Sequence, residues 1–379
     1  MRYVFEMEFS TKNVTKKDLF QVFLKLGILG FGGPAAHTAM MREEVVEKRK
    51  WLSPDEFFDL IGATNLIPGP NSTELAIHVG HKMLGWKGLL VAGLSFIVPA
   101  FLAVLALAIL YVEYGSLPEL NPILTGIRPV IVAIVLIALW KFRESAVRNL
   151  RETLTFLAAL GACVLGYNEI LIILLAGFLL AIFSGTFRAR LSLAPMALAS
   201  AATATSIPIT GTSIFYFFLK IGSVLFGSGY VLLAFLKSEL VDERMWLTSA
   251  QLLDAVTVGQ VTPGPVFTTA TFIGFLLQSY QGAILATLGI FLPSFFFVAL
   301  SSPFLPKLRS SNFFSYFLNG INAASFALMT WVSFELGVKS LFNFPTLALG
   351  IIAFLILKFT RINSAWLIPA GGFFGFFFL

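Results

Sequence analysis

Phe23-Leu-Lys-Leu-Gly27, followed by Phe31-Gly32-Gly33, returns later in the chain as Phe218-Leu-Lys-Ile-Gly222, followed by Phe226-Gly227-Ser228, at an offset of 195. The same offset carries Glu44-x-Val46-Glu47-x-Arg49-x-Trp51-Leu52 onto Glu239-x-Val241-Asp242-x-Arg244-x-Trp246-Leu247. It also carries Asp59 onto Asp254 and Pro68-Gly69-Pro70 onto Pro263-Gly264-Pro265. A one-residue deletion then shifts the offset to 194, which matches Gly80 with Gly274, Pro99 with Pro293 and Gly126 with Gly320. Ordered matches at this density mark a duplicated unit.

The composition says where that unit lives. Of 379 residues, 57% are hydrophobic and 12% charged, whereas an ordinary soluble domain carries roughly 25% charge. Lipid must cover what the charges cannot. The apolar runs are rich in Leu, Ala, Ile, Phe and Gly and lack the alternation of a transmembrane barrel, so the expected fold is all-α. One cysteine, Cys163, excludes an intramolecular disulfide and a Cys-rich metal site, and three histidines are too few for a His-based cofactor array. The net charge of +6 lies in short loops between apolar segments, which is a topology signal and not a nucleic-acid surface. No small-residue cleavage site follows the first apolar run, so no cleavable signal peptide is expected.

Each half reads in one order. An apolar helix (18–36; 212–236) leads through a polar loop to an apolar stretch broken by Pro-Gly-Pro (56–83; 250–278). Two long spans follow (88–112 and 123–141; 281–301 and 313–338), then two short apolar helices (153–166 and 168–184; 344–358 and 364–379). The expected division is residues 1–190 for the first membrane repeat, 191–211 for a linker and 212–379 for the second. With each Pro-Gly-Pro stretch taken as a hairpin, loops 37–55, 82–87 and 141–151 share one basic, cytoplasmic side with Arg188 and Arg190, and 112–122 lies opposite with Glu113 and Glu119. The halves then come out inverted. Arg2, Lys12, Lys16 and Lys17 disagree with this unless the first segment is partly re-entrant.

Inverted repeats suit alternating access, with binding sites on broken helices near the midplane. Pro68-Gly69-Pro70 with Asn71, Ser72 and Thr73, and Pro263-Gly264-Pro265 with Thr268 and Thr269, offer amide and hydroxyl donors at helix starts, suitable for an oxyanion. The plain alternative is a kink with hydroxyls bonded to backbone. Lys25 and Lys220, matched cations in apolar helices, could offset a dianion, snorkel to an interface, or pair with carboxylates. Asp59 and Asp254 could pair with them, carry coupling protons or cap helices. Trp51 and Trp246 fit a membrane–water boundary. Glu74, His78 and His81 share a helical face found only in the first half; it could relay protons, hold a metal or simply line the interior, and no metal is assigned. No Walker lysine follows the glycines, and no nucleophile–base set marks an enzyme.

Phe31-Gly32-Gly33-Pro34 with His37, Glu43, Glu44, Arg49-x-Trp51 and Pro68-Gly69-Pro70 resembles the first half of the chromate ion transporter family. Phe226-Gly227-x-Gly229-Tyr230, Glu239, Trp246-Leu247, Asp254 and Thr262-Pro263-Gly264-Pro265 is similar to its second half. The resemblance covers nearly the whole chain. It implies a two-domain, multi-pass protein of the plasma membrane that exports chromate by secondary transport, with opposite topology of its halves, no cofactor and no enzymatic activity. Gly32, Gly33, Gly227 and Gly229 join the breaks and lysines as expected substrate contacts. Sulfate or another tetrahedral oxyanion, an oxyanion channel, and a homodimer stay open.

Overall fold

The computed structural model describes residues 14–31, 33–114, 121–183, 208–226, 231–301, 311–341, 343–360, 362 and 364–378. The expected linker and Gly32, Gly227 and Gly229 lie largely or wholly outside these. The described chain is all-helical: α1 (Lys16–Leu29), α2 (Gly33–Arg42), α3 (Pro54–Thr64), α4 (Asn71–Tyr114), α5 (Asn121–Ala146), α6 (Leu150–Val164), α7 (Glu169–Ala181), then α8 (Gly211–Val224), α9 (Val231–Leu236), α10 (Ser249–Val261), α11 (Thr269–Ser301), α12 (Asn312–Ser340), α13 (Phe344–Phe359) and α14 (Ser364–Phe378). α2 and α9 each run on into a wide π turn, Glu43–Lys48 and Lys237–Glu243. Element for element, α8–α14 repeat α1–α7. Among the described residues four helices are long and apolar enough to cross a membrane: α4, α5, α11 with its preceding turn, and α12. The chain is a multi-pass membrane protein.

The expected 18–36 segment is not one helix. α1 stops at Gly30, whose N–H closes the last turn on Leu26 O, and the chain turns through Gly33 at φ +78° into Pro34. α1 is about 21 Å long, too short for a core of ~30 Å. It reverses: Val14 at its start packs in one cluster with Trp51 and Met83, and Asp18 lies within electrostatic reach of Arg49. Lys16 and Lys17 therefore sit on the face that carries loop 49–51, in keeping with a partly re-entrant first segment; Arg2 and Lys12 lie outside the described residues.

The Pro-Gly-Pro stretch also returns. α3 leads inward to 65–70, and the first arm of α4 leads back, so that Lys82 near the arm's end reaches Glu56 at the start of α3 at 2.8 Å. α4 then folds sharply at Leu84 and Gly85, the latter at φ +57°. Arms 71–83 and 86–114 pack face to face, with Gly80 against the Gly88 carbonyl and Ala92. α11 does the same at Gln278 and Ser279, with Gly274 against Gly282 and Ala286. Only glycine permits this backbone approach.

The halves meet reciprocally. Gly69 N–H donates to Leu225 O at 2.8 Å, and Gly264 N–H donates to Gly30 O at 2.8 Å. Gly126 packs on Gly371 as Gly320 packs on Gly177. α5 packs on α13 and α14 of the other half, and α12 on α6 and α7. Residue i touching j while the mate of j touches the mate of i is the signature of a two-fold axis. Equivalent long helices run antiparallel across it: Val132 of α5 lies by Gly337 of α12, and Phe142 by Phe326.

Overfilling the elbow tests this packing. Gly80→Val or Gly274→Val should lower the stability of the detergent-solubilised protein by about 1–3 kcal/mol, read as a drop in Tm. Gly161→Val, on a helix face with no atom within 4 Å of the new Cβ, should leave Tm nearly unchanged.

Candidate functional site

The two breaks and the helix ends around them enclose a cavity of about 570 Å³, within the ~300–1,000 Å³ range of small-molecule sites. Asn65, Pro70, Asn71 and Ser72 come from the first break, and Val266 and Phe267 from the second. Ser145 and Arg148 come from the end of α5, and Ser315, Asn319 and Asn322 from the start of α12. That the end of α5 meets the start of α12 follows from their antiparallel packing. Pro70 starts α4 and leaves the first-turn N–H groups of Asn71 and Ser72 ahead of the turn's own bonds, since Thr73 and Glu74 N–H already close on Pro70 O. Asn71 Nδ2 donates to Asn65 Oδ1 at 2.9 Å, and its Oδ1 has no donor. Arg148 is exposed at the mouth, and no ion pair to its guanidinium appears among the described residues. The polar part of the lining is thus one cation with amide and hydroxyl groups, a set that can donate to an anion from several directions, and Leu66, Phe142, Phe226 and Leu318 make up much of the apolar remainder.

The position related to the cavity by the two-fold holds an ion network. Asp254, 3% exposed, receives a two-pronged contact from Arg128, Nε to Oδ1 at 3.1 Å and a terminal nitrogen to Oδ2 at 3.0 Å. Tyr111 OH adds a third bond at 2.9 Å. Repeat symmetry makes the difference plain: Arg128 corresponds to Asn322, which lines the cavity, and buried Asp254 corresponds to exposed Asp59.

Lys25 and Lys220 are elsewhere. Lys25 Nζ donates to Glu44 Oε1 at 2.7 Å and Lys220 Nζ to Glu239 Oε1 at 2.6 Å. Their side chains are 51% and 42% exposed. Arg49 and Arg244 stand 3.7 and 3.4 Å from the second oxygens of the same carboxylates and lie over Trp51 and Trp246. The repeated Glu-x-Val-x-x-Arg-x-Trp motif is therefore an ion cluster that fixes the π turn to α1 or α8, and Trp246 is buried within it. Burial works to raise the Glu44 carboxyl, but the bonds from Lys25 and Lys48 outweigh it and hold it below its ordinary value. At the mouth of the first hairpin, the Lys82 ammonium, helped by the Ser53 N–H, holds the Glu56 carboxyl low.

Of the other expected donors, Thr268 and Thr269 give their hydroxyls to Pro265 O and Val266 O, the backbone-bonded alternative. Thr73 is buried, with its hydroxyl unbonded. Gly33 opens α2, and Gly264 packs on Ala100 while its mate Gly69 packs on Glu74 and Ser294. Among the described residues no group of three metal-ligating side chains gathers. Sequence reading missed Arg148, Asn65, Asn319 and Asn322. It also missed Arg128, which an arginine inside an apolar run could have signalled.

A duplicated helical membrane protein whose paired breaks enclose a polar cavity belongs to the architecture of solute transporters. The model of the chromate transporter family matches residues 17–182 and 212–376, and the chain belongs to that family. It is 30% identical to a chromate transport protein of Cupriavidus metallidurans, covering 95% of this chain and 92% of that one. It is 32% identical to a probable chromate transport protein of Synechococcus elongatus, covering 89% and 88%. An uncharacterized transporter of Bacillus subtilis is 33% identical over 34% of this chain and 73% of its own length. No solved structure matches. The family's members are transporters, not enzymes.

Asp254→Asn should leave Arg128 without its carboxylate and lower stability by about 3–5 kcal/mol, measured by thermal unfolding. Asp59→Asn, at the exposed mate, should change it far less.

Proposed function

We propose that the chain is a secondary transporter that carries chromate out of the cell across the plasma membrane, by alternating access between two inverted repeats. The carrying observation is the cavity between the breaks, with Arg148 exposed at its rim and an ion network of Asp254, Arg128 and Tyr111 at the two-fold-related position. The names of the Cupriavidus and Synechococcus relatives supply the substrate. The lining supports it: a tetrahedral dianion wants several donors and at least one planar cationic fork, and Arg148 with Asn71, Ser72, Asn319 and Asn322 offers them.

Direction follows from charge. The Arg148 face also bears Lys82, Lys87, Lys141, Arg143 and Lys358; Lys358 Nζ lies 4.7 Å from the Trp140 ring. A basic face is cytoplasmic by the positive-inside rule. An anion entering there meets the cavity first, and an inside-negative potential drives it outward. The antiparallel α5 and α12 favour an inverted over a parallel repeat.

Everted vesicles should accumulate labelled chromate, and excess sulfate should compete to the extent that the cavity reads shape and charge alone. Arg148→Ala should reduce uptake by about 10–100-fold, the effect of losing a charge-assisted bond of ~1.5–3 kcal/mol, and Arg148→Lys should restore part of it. Uptake indifferent to Arg148 would contradict this site.

A further inference from the structure

Below the cavity lies a buried acid that anion binding itself does not require. Glu74 is one turn beyond Asn71 on the first arm of α4 and 0% exposed. Neither carboxyl oxygen has a hydrogen-bond partner. Ser294 of α11, also fully buried and with its hydroxyl unbonded, stands beside it. Both face Gly69: a Cβ there would collide with Glu74 Oε1 and come within 2.6 Å of Ser294 Oγ. One turn further, His78 is 2% exposed with Nε2 unbonded. His81 follows, partly exposed, with its ring edge to Trp86 at the elbow. Positions 71, 74, 78 and 81 fall on one helical face, so a column of polar groups runs from the cavity to the surface at Lys82.

Among the described residues no ion pair to Glu74 appears. Its own helix brings His78. α11 carries no acidic or basic residue at all. α1 brings Lys25, held by Glu44; α2 brings His37, on Gly30 O at 2.8 Å; α3 brings Glu56, held by Lys82, and Asp59. A lone carboxylate in such a place is costly, and a dianion in the adjoining cavity makes it costlier, because like charges at close range cannot both persist without compensation. The neutral acid has neither difficulty and can donate to Ser294 Oγ.

We infer that Glu74 is a proton-binding site loaded together with the anion, through His81 and His78 from the cavity's own face, so that each oxyanion is occluded with one proton. This rests on the transport reading above. The proton comes from water at the elbow and ends on a Glu74 oxygen, and no covalent bond other than O–H or N–H changes. Linkage makes the effect mutual: anion binding favours the proton, and the proton favours the anion by the same factor. The second half, with Thr268 and Thr269 at the matching place, has no such group.

The test is proton uptake on anion binding, measured by titration calorimetry of the full-length purified protein in buffers of differing ionisation enthalpy. Sulfate, which brings no proton of its own near neutrality, is the first probe and chromate the second. The wild type should take up about one proton per anion, and affinity should fall by up to about tenfold per unit rise in pH. Glu74→Gln should bind with no uptake and with a flat pH dependence. If that variant does not fold, Glu74→Asp must keep the uptake. Binding by the wild type without uptake, or unchanged uptake in Glu74→Gln, overturns the inference and leaves the transport reading standing. Failure of both anions to bind removes the transport reading and this one with it.

Discussion

Two hydrogen bonds organise the molecule: Gly69 N–H to Leu225 O and Gly264 N–H to Gly30 O, both 2.8 Å. A helix broken inside a membrane exposes backbone groups that lipid cannot satisfy. Each repeat meets that demand with the other's re-entrant helix end. The breaks are therefore stable only as a pair, which explains why the unit is duplicated and why the two-fold relation is kept at the centre. Proline on either side removes donors that would have no partner, and the glycine between them, at φ +140° or +89°, lets the backbone approach.

Asymmetry has been laid over this frame at the cavity and at its two-fold-related position. At one end the start of α12 contributes Asn319 and Asn322 to an open cavity. At the other the matching stretch of α5 contributes Arg128 to a closed ion network. The first break is followed by an acid, the second by threonines bonded to backbone. The scaffold is two-fold related, and the residues at the two related positions differ. In that network Asp254 is buried and Arg128 is part-buried.

Much of the fold was legible in sequence because it is written as repeated local signals. The Pro-Gly-Pro breaks, the elbow glycines Gly80 and Gly274 and the order of apolar runs all carried over. The end of α1 was misread, since Phe31-Gly32-Gly33-Pro34 looks apolar enough to continue a span, and only the stop at Gly30 and the packing of Val14 with Trp51 and Met83 show the reversal. Lys25 and Glu44 both stood in repeated motifs, yet their separation of 19 positions hid that they are partners. The cavity was least legible. Arg148, Asn65 and Asn319 lie at helix ends far apart in sequence, unrepeated, and antiparallel packing alone brings them together.

The central claim is that equivalent parts of the two repeats face opposite sides of the membrane. Trp86 and Tyr280 occupy equivalent elbow positions and are both exposed. With Cys163→Ser as background, single Trp86→Cys and Tyr280→Cys variants can be labelled with a membrane-impermeant thiol reagent in everted and in right-side-out vesicles. The account predicts that position 86 reacts in everted vesicles and position 280 in right-side-out ones. Reaction of both from the same side would contradict it.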